Sequence, residues 1–99
     1  MQGRLSEALL AKALEDGATI RRAVVVDAAG DYMLFLRLSD RPGYLCVAKR
    51  RPIDGPKAWN DFRTLQRMLH KQGYRGAVCV FPEGSPFPGR LGISLGTPV

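Results

Sequence analysis

The chain has 99 residues, of which 45% are apolar and 24% are charged. These proportions are typical of a folded globular protein and exclude a disordered polyelectrolyte. Fifteen Lys and Arg against nine Asp and Glu give a net charge of +6. With a pI near 9.9, this balance favours an anionic partner such as nucleic acid. We expect residues 1–99 to form a single domain, with 82–99 as a tail rich in proline and glycine.

Membrane insertion and secretion are both disfavoured by the distribution of apolar residues. The longest apolar runs, such as 23–26, are far shorter than the roughly 20 residues that a spanning helix needs. Acidic residues interrupt the leucine-rich N-terminal stretch, which argues against a secretory signal. We therefore expect a cytoplasmic protein without a membrane segment.

The first predicted element is a helix over residues 4–16. Its spacing places one apolar side on the helical wheel, consisting of Leu5, Leu9, Leu10, Ala13 and Leu14. Ser6 is a candidate N-cap, and Gly17 is a typical helix stop.

Three strands follow the helix. Residues 19–26 are rich in β-branched side chains, and residues 32–38 and 44–50 are also apolar runs. Short breaks rich in turn-forming residues separate them, at 27–31 and 39–43. Closely spaced strands of this kind predict an antiparallel meander.

A second helix is expected over residues 56–72, with Asp54 or Gly55 as its cap and Pro56 at its first position. Its core stripe consists of Ala58, Phe62, Leu65 and Leu69. A fourth strand over 77–81 follows, and 91–95 is the candidate fifth. The predicted fold is α+β with the order α-β-β-β-α-β(-β), an antiparallel sheet and both helices packed on one face.

The sequence contains no recognisable catalytic, cofactor or metal motif. Its one histidine, His70, lies at the end of the second helix, where it interacts favourably with the helix dipole. Cys46 and Cys79 lie within apolar strands and are expected to be small buried side chains, with a disulfide between adjacent strands as the alternative. We therefore expect no enzyme activity, no cofactor and no metal site.

Basic residues concentrate on the meander and at its ends, where they form a candidate phosphate-binding surface. The residues expected to contact nucleic acid are Arg21, Arg22, Arg37, Lys49, Arg50, Arg51 and Lys57.

Strand alternation predicts a second candidate surface. If Leu34 and Leu36 face the helices, then Met33 and Phe35 face away, onto a side that no predicted helix covers. This side would bind bases, another protein or a second copy of the chain to form a homodimer. The alternative is that the C-terminal tail folds over it.

Trp59 lies beside the core stripe of the second helix, and it is either the rim of the core or an exposed interface anchor. The candidate residues for a partner interface are Met33, Phe35, Trp59, Arg63 and Arg67.

Three resemblances accompany these patterns. The order α-β-β-β-α is similar to that of double-stranded-RNA-binding domains, whose basic helix-opening motif is matched here by Lys57 and Ala58, although Asp61 departs from it. The β-β-β-α core also resembles three-stranded DNA-binding modules of phage-type integrases. The run Lys49-Arg50-Arg51, the helix at 56–72 and Gly73-Tyr74 resemble small plasmid-borne partition-associated proteins, which implies an accessory role in a mobile element.

These observations support two functional hypotheses. The first is a non-enzymatic nucleic-acid-binding or DNA-maintenance accessory protein that uses its basic residues on phosphate. The alternative is a protein-interaction module, such as a mobile-element inhibitor of a host defence complex, that uses the Met33 and Phe35 side or Trp59.

Overall fold

A computed structural model describes residues 3–48 and 57–93. The elements in chain order are β1 (Gly3–Ser6), α1 (Glu7–Glu15), β2 (Ile20–Ala28), β3 (Asp31–Leu38), β4 (Tyr44–Ala48), β5 (Ala58–Trp59), α2 (Phe62–Lys71), β6 (Val78–Pro82) and α3 (Phe87–Arg90). The fold is α+β, as predicted. Within the described ranges, no helix is long and apolar enough to cross a membrane.

The strands form one sheet in the order β1-β4-β3-β2-β6, and β5 pairs with β3. The meander of β2, β3 and β4 is antiparallel, as predicted. However, β1 runs parallel to β4 and β6 runs parallel to β2, so the sheet is mixed. The prediction of a wholly antiparallel sheet is therefore wrong. Helix α2 carries the chain back along the sheet, so β6 starts at the same end as β2 and pairs with it in parallel.

The N-terminal helix is shorter than the predicted range 4–16. Gly3–Ser6 is a strand, in which Leu5 is buried beside its partner Val47. Leu5 fits the apolar side of the predicted helix, but a strand paired with β4 buries the same side chain. The apolar pattern alone therefore does not distinguish the two. The predicted N-cap is confirmed, because the backbone N–H of Leu9 donates to Ser6 Oγ over 3.2 Å.

The second helix also starts later than predicted. Its N-cap is Asp61, whose carboxylate accepts the Arg63 backbone N–H over 3.0 Å, and the helix spans Phe62–Lys71. Ala58–Trp59 pairs with β3 instead of forming the first helical turn. The predicted cap positions at 54–56 lie outside the described residues.

Both α1 and α2 pack on one face of the sheet, as predicted. Leu10 of α1 and Leu65 and Leu69 of α2 share one buried cluster with Leu34 and Leu36 of β3. We call this side of the sheet the helix face.

The opposite side, which we call the back face, is not open. Its buried cluster consists of Val24, Val26, Phe35, Tyr44, Cys46 and Ile93, with Leu91 packed against it. Ile93 follows α3 and is 5% exposed. The C-terminal tail therefore covers this face, because the burial of Phe35 and its neighbours removes a large apolar area from water. Residues 91–93 do not form the candidate edge strand, and 94–95 lie outside the described part of the chain.

Candidate nucleic-acid interface

The topology collects arginines at one end of the sheet. Because β3 is antiparallel to β2 and β4, and β6 is parallel to β2, the starts of β2, β4 and β6 meet the end of β3. Arg21 and Arg22 lie at the start of β2, and Arg37 lies near the end of β3. All three residues are exposed. We call this trio the arginine end.

Arg22 and Arg37 are direct cross-strand partners in the β2–β3 ladder. Partners in an antiparallel pair project from the same face, with Cα atoms about 4.5–5.5 Å apart. The alternation along β2 and β3 places this pair on the back face, one step beyond the buried pair Val24 and Phe35. Two arginine side chains therefore start from neighbouring positions at the margin of the back-face cluster.

A β-bulge determines the position of Arg21. The ladder register shifts between Ile20 and Arg22, so Ile20 pairs with Leu38 and Arg21 is the extra residue. In a regular ladder Arg21 would stand opposite Leu38, on the helix face. The bulge instead gives that position to Ile20, which packs against the helix-face cluster, and leaves Arg21 exposed. Bulges commonly re-aim side chains near functional sites.

Arg75 is a neighbouring cation that sequence analysis did not select. Residues 18–20 and 72–74 line an open cleft of about 240 Å³. Arg21 and Arg75 are the next residues in the chain after these two segments, so they lie near each other. In the sequence, Arg75 stands just before β6. This position places it near Arg21 only because β6 runs parallel to β2, so that the two strands start at the same end of the sheet.

The acidic residues Asp40 and Asp16 near this end form ion pairs with cations outside the trio. Arg41 Nη2 donates to Asp40 Oδ2 over 2.9 Å, and Arg41 Nε donates to Asp40 Oδ1 over 3.0 Å. These hydrogen bonds lower the pKa of Asp40 and raise that of Arg41. Asp16 Oδ2 lies 3.8 Å from Lys12 Nζ.

The arginines of the trio form no such ion pair within the described residues. Within residues 3–48 and 57–93, Arg21, Arg22 and Arg37 have no carboxylate partner within 4.0 Å. The arginine end therefore carries exposed positive charge that no acid within the described ranges neutralises.

Lys57 is not part of this surface, which corrects the sequence-based assignment. Its backbone N–H donates to Val47 O over 2.9 Å, near the end of β4, so it lies at the other end of the sheet. Its Nζ donates to Glu7 Oε2 over 2.6 Å and lies 4.9 Å from the centre of the Trp59 ring. The Lys57 charge is thus engaged by an intramolecular partner.

The remaining predicted phosphate contacts are Lys49, Arg50 and Arg51. They lie outside the described residues, and the structure gives no contact for them.

The predicted protein-partner residues are largely unsuited to an exposed interface. Phe35 is 1% exposed and Trp59 is 5% exposed, so neither is a surface anchor. Met33 is half-buried against the back-face cluster. The back face, through which the sequence predicted a homodimer, is covered by Ile93. Arg63 and Arg67 are exposed on α2, where a spacing of four residues places them on one side of the helix.

The two cysteines differ in environment. Cys46 is buried on the back face, and burial raises the pKa of its thiol from 9.0 to about 11, against an opposing effect of the Arg4 charge. Cys79 is exposed, contrary to expectation. Both thiols are free, and β3 and β2 separate their strands, so a disulfide between them is excluded.

Comparison with protein-family models, with curated proteins and with solved structures finds no match to this chain. The class of the chain is therefore described by its fold and its charges. It is an α+β domain with a mixed sheet, one helix-covered face, one tail-covered face, and an exposed arginine trio at the end of the sheet.

Proposed function

We propose that this chain is a small non-enzymatic protein that binds the phosphate backbone of duplex nucleic acid through its arginine end. The observation that carries the proposal is the cross-strand pair of Arg22 and Arg37, with Arg21 displaced outward beside it. Guanidinium groups present planar, paired donors that match phosphate oxygens, so adjacent arginines suit a polyphosphate ligand.

The energetic cost of this arrangement supports a role in binding. Like charges directly opposite each other in a sheet destabilise it. A nearby acid would offset that cost, but none lies within ion-pair distance in the described residues. A bound anion would remove the repulsion, and departures from local rules of this kind are typical of functional sites.

The surroundings of the arginines favour a duplex over a single strand. Proteins that bind single strands combine cations with exposed aromatic rings on which bases stack. The aromatic residue beside Arg37 is its cross-strand partner Tyr44, which is 6% exposed. Beside Arg37 the described residues therefore offer contacts to phosphate without an exposed ring for stacking, which suits a backbone whose bases are already paired.

The proposal is tested by fluorescence anisotropy with labelled duplex DNA, duplex RNA and single-stranded DNA over a range of salt concentrations. The double variant Arg22→Gln/Arg37→Gln should bind duplex about tenfold or more weakly at about 100 mM salt. It should also reduce the slope of log K against log salt by about 2, if each guanidinium neutralises one phosphate. Stronger binding to single-stranded DNA than to duplex would contradict the duplex assignment.

Two controls locate the binding surface. Lys57→Gln removes a positive charge at the other end of the sheet and should leave duplex affinity nearly unchanged. Arg63→Gln removes a charge from the start of α2, and comparison with it separates local contact from a general loss of net charge.

A triple variant of Lys49, Arg50 and Arg51 to Gln measures the competing assignment. If this variant abolishes binding while Arg22→Gln/Arg37→Gln does not, the arginine end is not the interface. Wild-type protein that binds no nucleic acid even at low salt would refute the function altogether.

A further inference from the structure

Among the described residues, strand β6 is an edge of the sheet, and within the strand only its last residue, Pro82, resists pairing with a further strand. It pairs with β2 on one side only. Its sequence, Val78–Pro82, contains no charged residue. Val80 is 46% exposed, and Phe87, stacked on Phe81 at 5.7 Å between ring centres, is 51% exposed. Edge strands are ordinarily shielded by charges, bulges or covering segments, and an apolar edge without them tends to pair with another strand.

The ladder to β2 determines which backbone groups point outward from this edge. The Glu83 backbone N–H donates to Asp27 O over 2.9 Å, so Glu83 turns its backbone toward β2. Successive residues of a strand alternate in this direction, so Cys79 and Phe81 also turn toward β2. Val78 and Val80 therefore present their N–H and C=O groups to the open edge.

We propose that β6 pairs in antiparallel fashion with β6 of a second copy of this chain, around a two-fold axis at Cys79. In this register Val78 of one copy faces Val80 of the other, and each valine exchanges both of its outward backbone hydrogen bonds. A register centred on Val80 would oppose Val78 to Pro82, which has no N–H to donate. The hydrogen-bonding capacity of the edge therefore selects the register centred on Cys79.

The charges that flank β6 favour the same register. Arg75 lies before the strand and Glu83 directly after it, and both are exposed. Antiparallel pairing about Cys79 brings Arg75 of each copy to the same level as Glu83 of the other. The strand itself carries no charge, so self-association avoids like-charge contact along the ladder even though the chain has a net charge of +6.

The apolar side chains gain burial in this arrangement. Val80 lies on the helix face of the sheet, as its pairing with the buried Val25 shows. Across the two-fold axis it would pack against Val78 of the partner copy, which is half-buried against the helix-face cluster. The interface is a small one built on a strand edge, which predicts a reversible dimer that depends on concentration.

Sedimentation velocity over a range of protein concentrations tests the dimer. Wild-type protein should be substantially dimeric at about 100 µM, as expected for a small reversible interface. Val80→Pro removes an N–H that points away from β2, so the fold should persist while dimerisation weakens about tenfold or more. Val80→Thr keeps that N–H and the side-chain shape, and should still dimerise. Circular dichroism verifies that each variant is folded.

The flanking charges provide a test that does not alter the strand. Arg75→Glu should weaken the dimer about fivefold or more through repulsion from Glu83 of the other copy. Adding Glu83→Arg should restore the wild-type dimer, because it reverses both members of each pair. Weakening without restoration in the double variant would contradict the register.

Cross-linking reports the register directly. Paired residues at a non-hydrogen-bonded position have Cα atoms about 4.5 Å apart, so a short bismaleimide should join Cys79 to Cys79 of the second copy. Cys46 is buried and serves as the internal control, and Cys79→Ser should abolish the product. Wild-type protein that stays monomeric at the highest concentration and gives no cross-link overturns the proposal.

Discussion

Arg22 and Arg37 are adjacent across the β2–β3 ladder, and neither guanidinium has an acidic partner among the described residues. Stability alone would favour an oppositely charged or uncharged pair at these positions. Under the proposed function, the pair lowers the stability of the free protein and raises its affinity for an anion.

Arg37→Gln is expected to stabilise the free protein by about 0.2–1 kcal/mol, because it removes the cross-strand repulsion from Arg22. Urea unfolding at low salt measures the change, and added salt should reduce it by screening the wild-type repulsion. The same substitution should weaken duplex binding. Loss of stability instead would show that the arginine contributes packing contacts that outweigh the repulsion.

Deletion of Arg21 should remove the β-bulge without disturbing the core. Ile20 already pairs with Leu38, so a chain lacking Arg21 continues the ladder regularly from Arg22 to Ile20. We expect a melting temperature close to that of the wild type and a reduced affinity for duplex. A large loss of stability would indicate that the bulge is required for the turn that precedes β2.

Ile93→Ala should destabilise the protein by about 2–5 kcal/mol, because Ile93 fills the back-face cluster above Phe35 and Cys46. The variant should also expose Cys46 to a thiol reagent under native conditions. Wild-type protein should react rapidly at Cys79 only, and at Cys46 only on unfolding. Rapid reaction of both wild-type thiols would contradict the tail-covered back face.

The Cys46 thiol should make stability decrease with rising pH in the alkaline range. Burial raises its folded pKa from 9.0 to about 11. Between these values the unfolded thiol ionises while the folded thiol remains protonated, so the unfolded state binds fewer protons and stability falls as pH rises. The decrease should end above about pH 11. Urea unfolding of wild type and Cys46→Ala across this window isolates the effect, and identical pH slopes would exclude it.

Much of the central fold follows from local sequence patterns. The meander is predictable because its strands are apolar runs joined by short breaks, and neighbours along the chain form its pairs. The alternation in β3 correctly assigns Leu34 and Leu36 to the helix face. The Ser6 cap is equally local, since it depends on a hydrogen bond to a residue three positions away.

The candidate site could be predicted only in part from the sequence. Arg21, Arg22 and Arg37 lie within the predictable meander, and their grouping follows from the hairpin. Lys57 has an equally basic sequence context, but its ion pair with Glu7 joins residues fifty positions apart. No local pattern encodes such a contact.

The sequence by itself determined the composition class, the meander, the faces of β3 and the excess of positive charge, because these depend on residue type and short-range spacing. Only the tertiary structure decided that β1 and β6 extend the sheet in parallel, that Ile93 covers Phe35, and that Lys57 is engaged elsewhere. Those outcomes depend on which distant segments bury each other's apolar surface and satisfy each other's backbone groups, and several arrangements are compatible with the same local pattern.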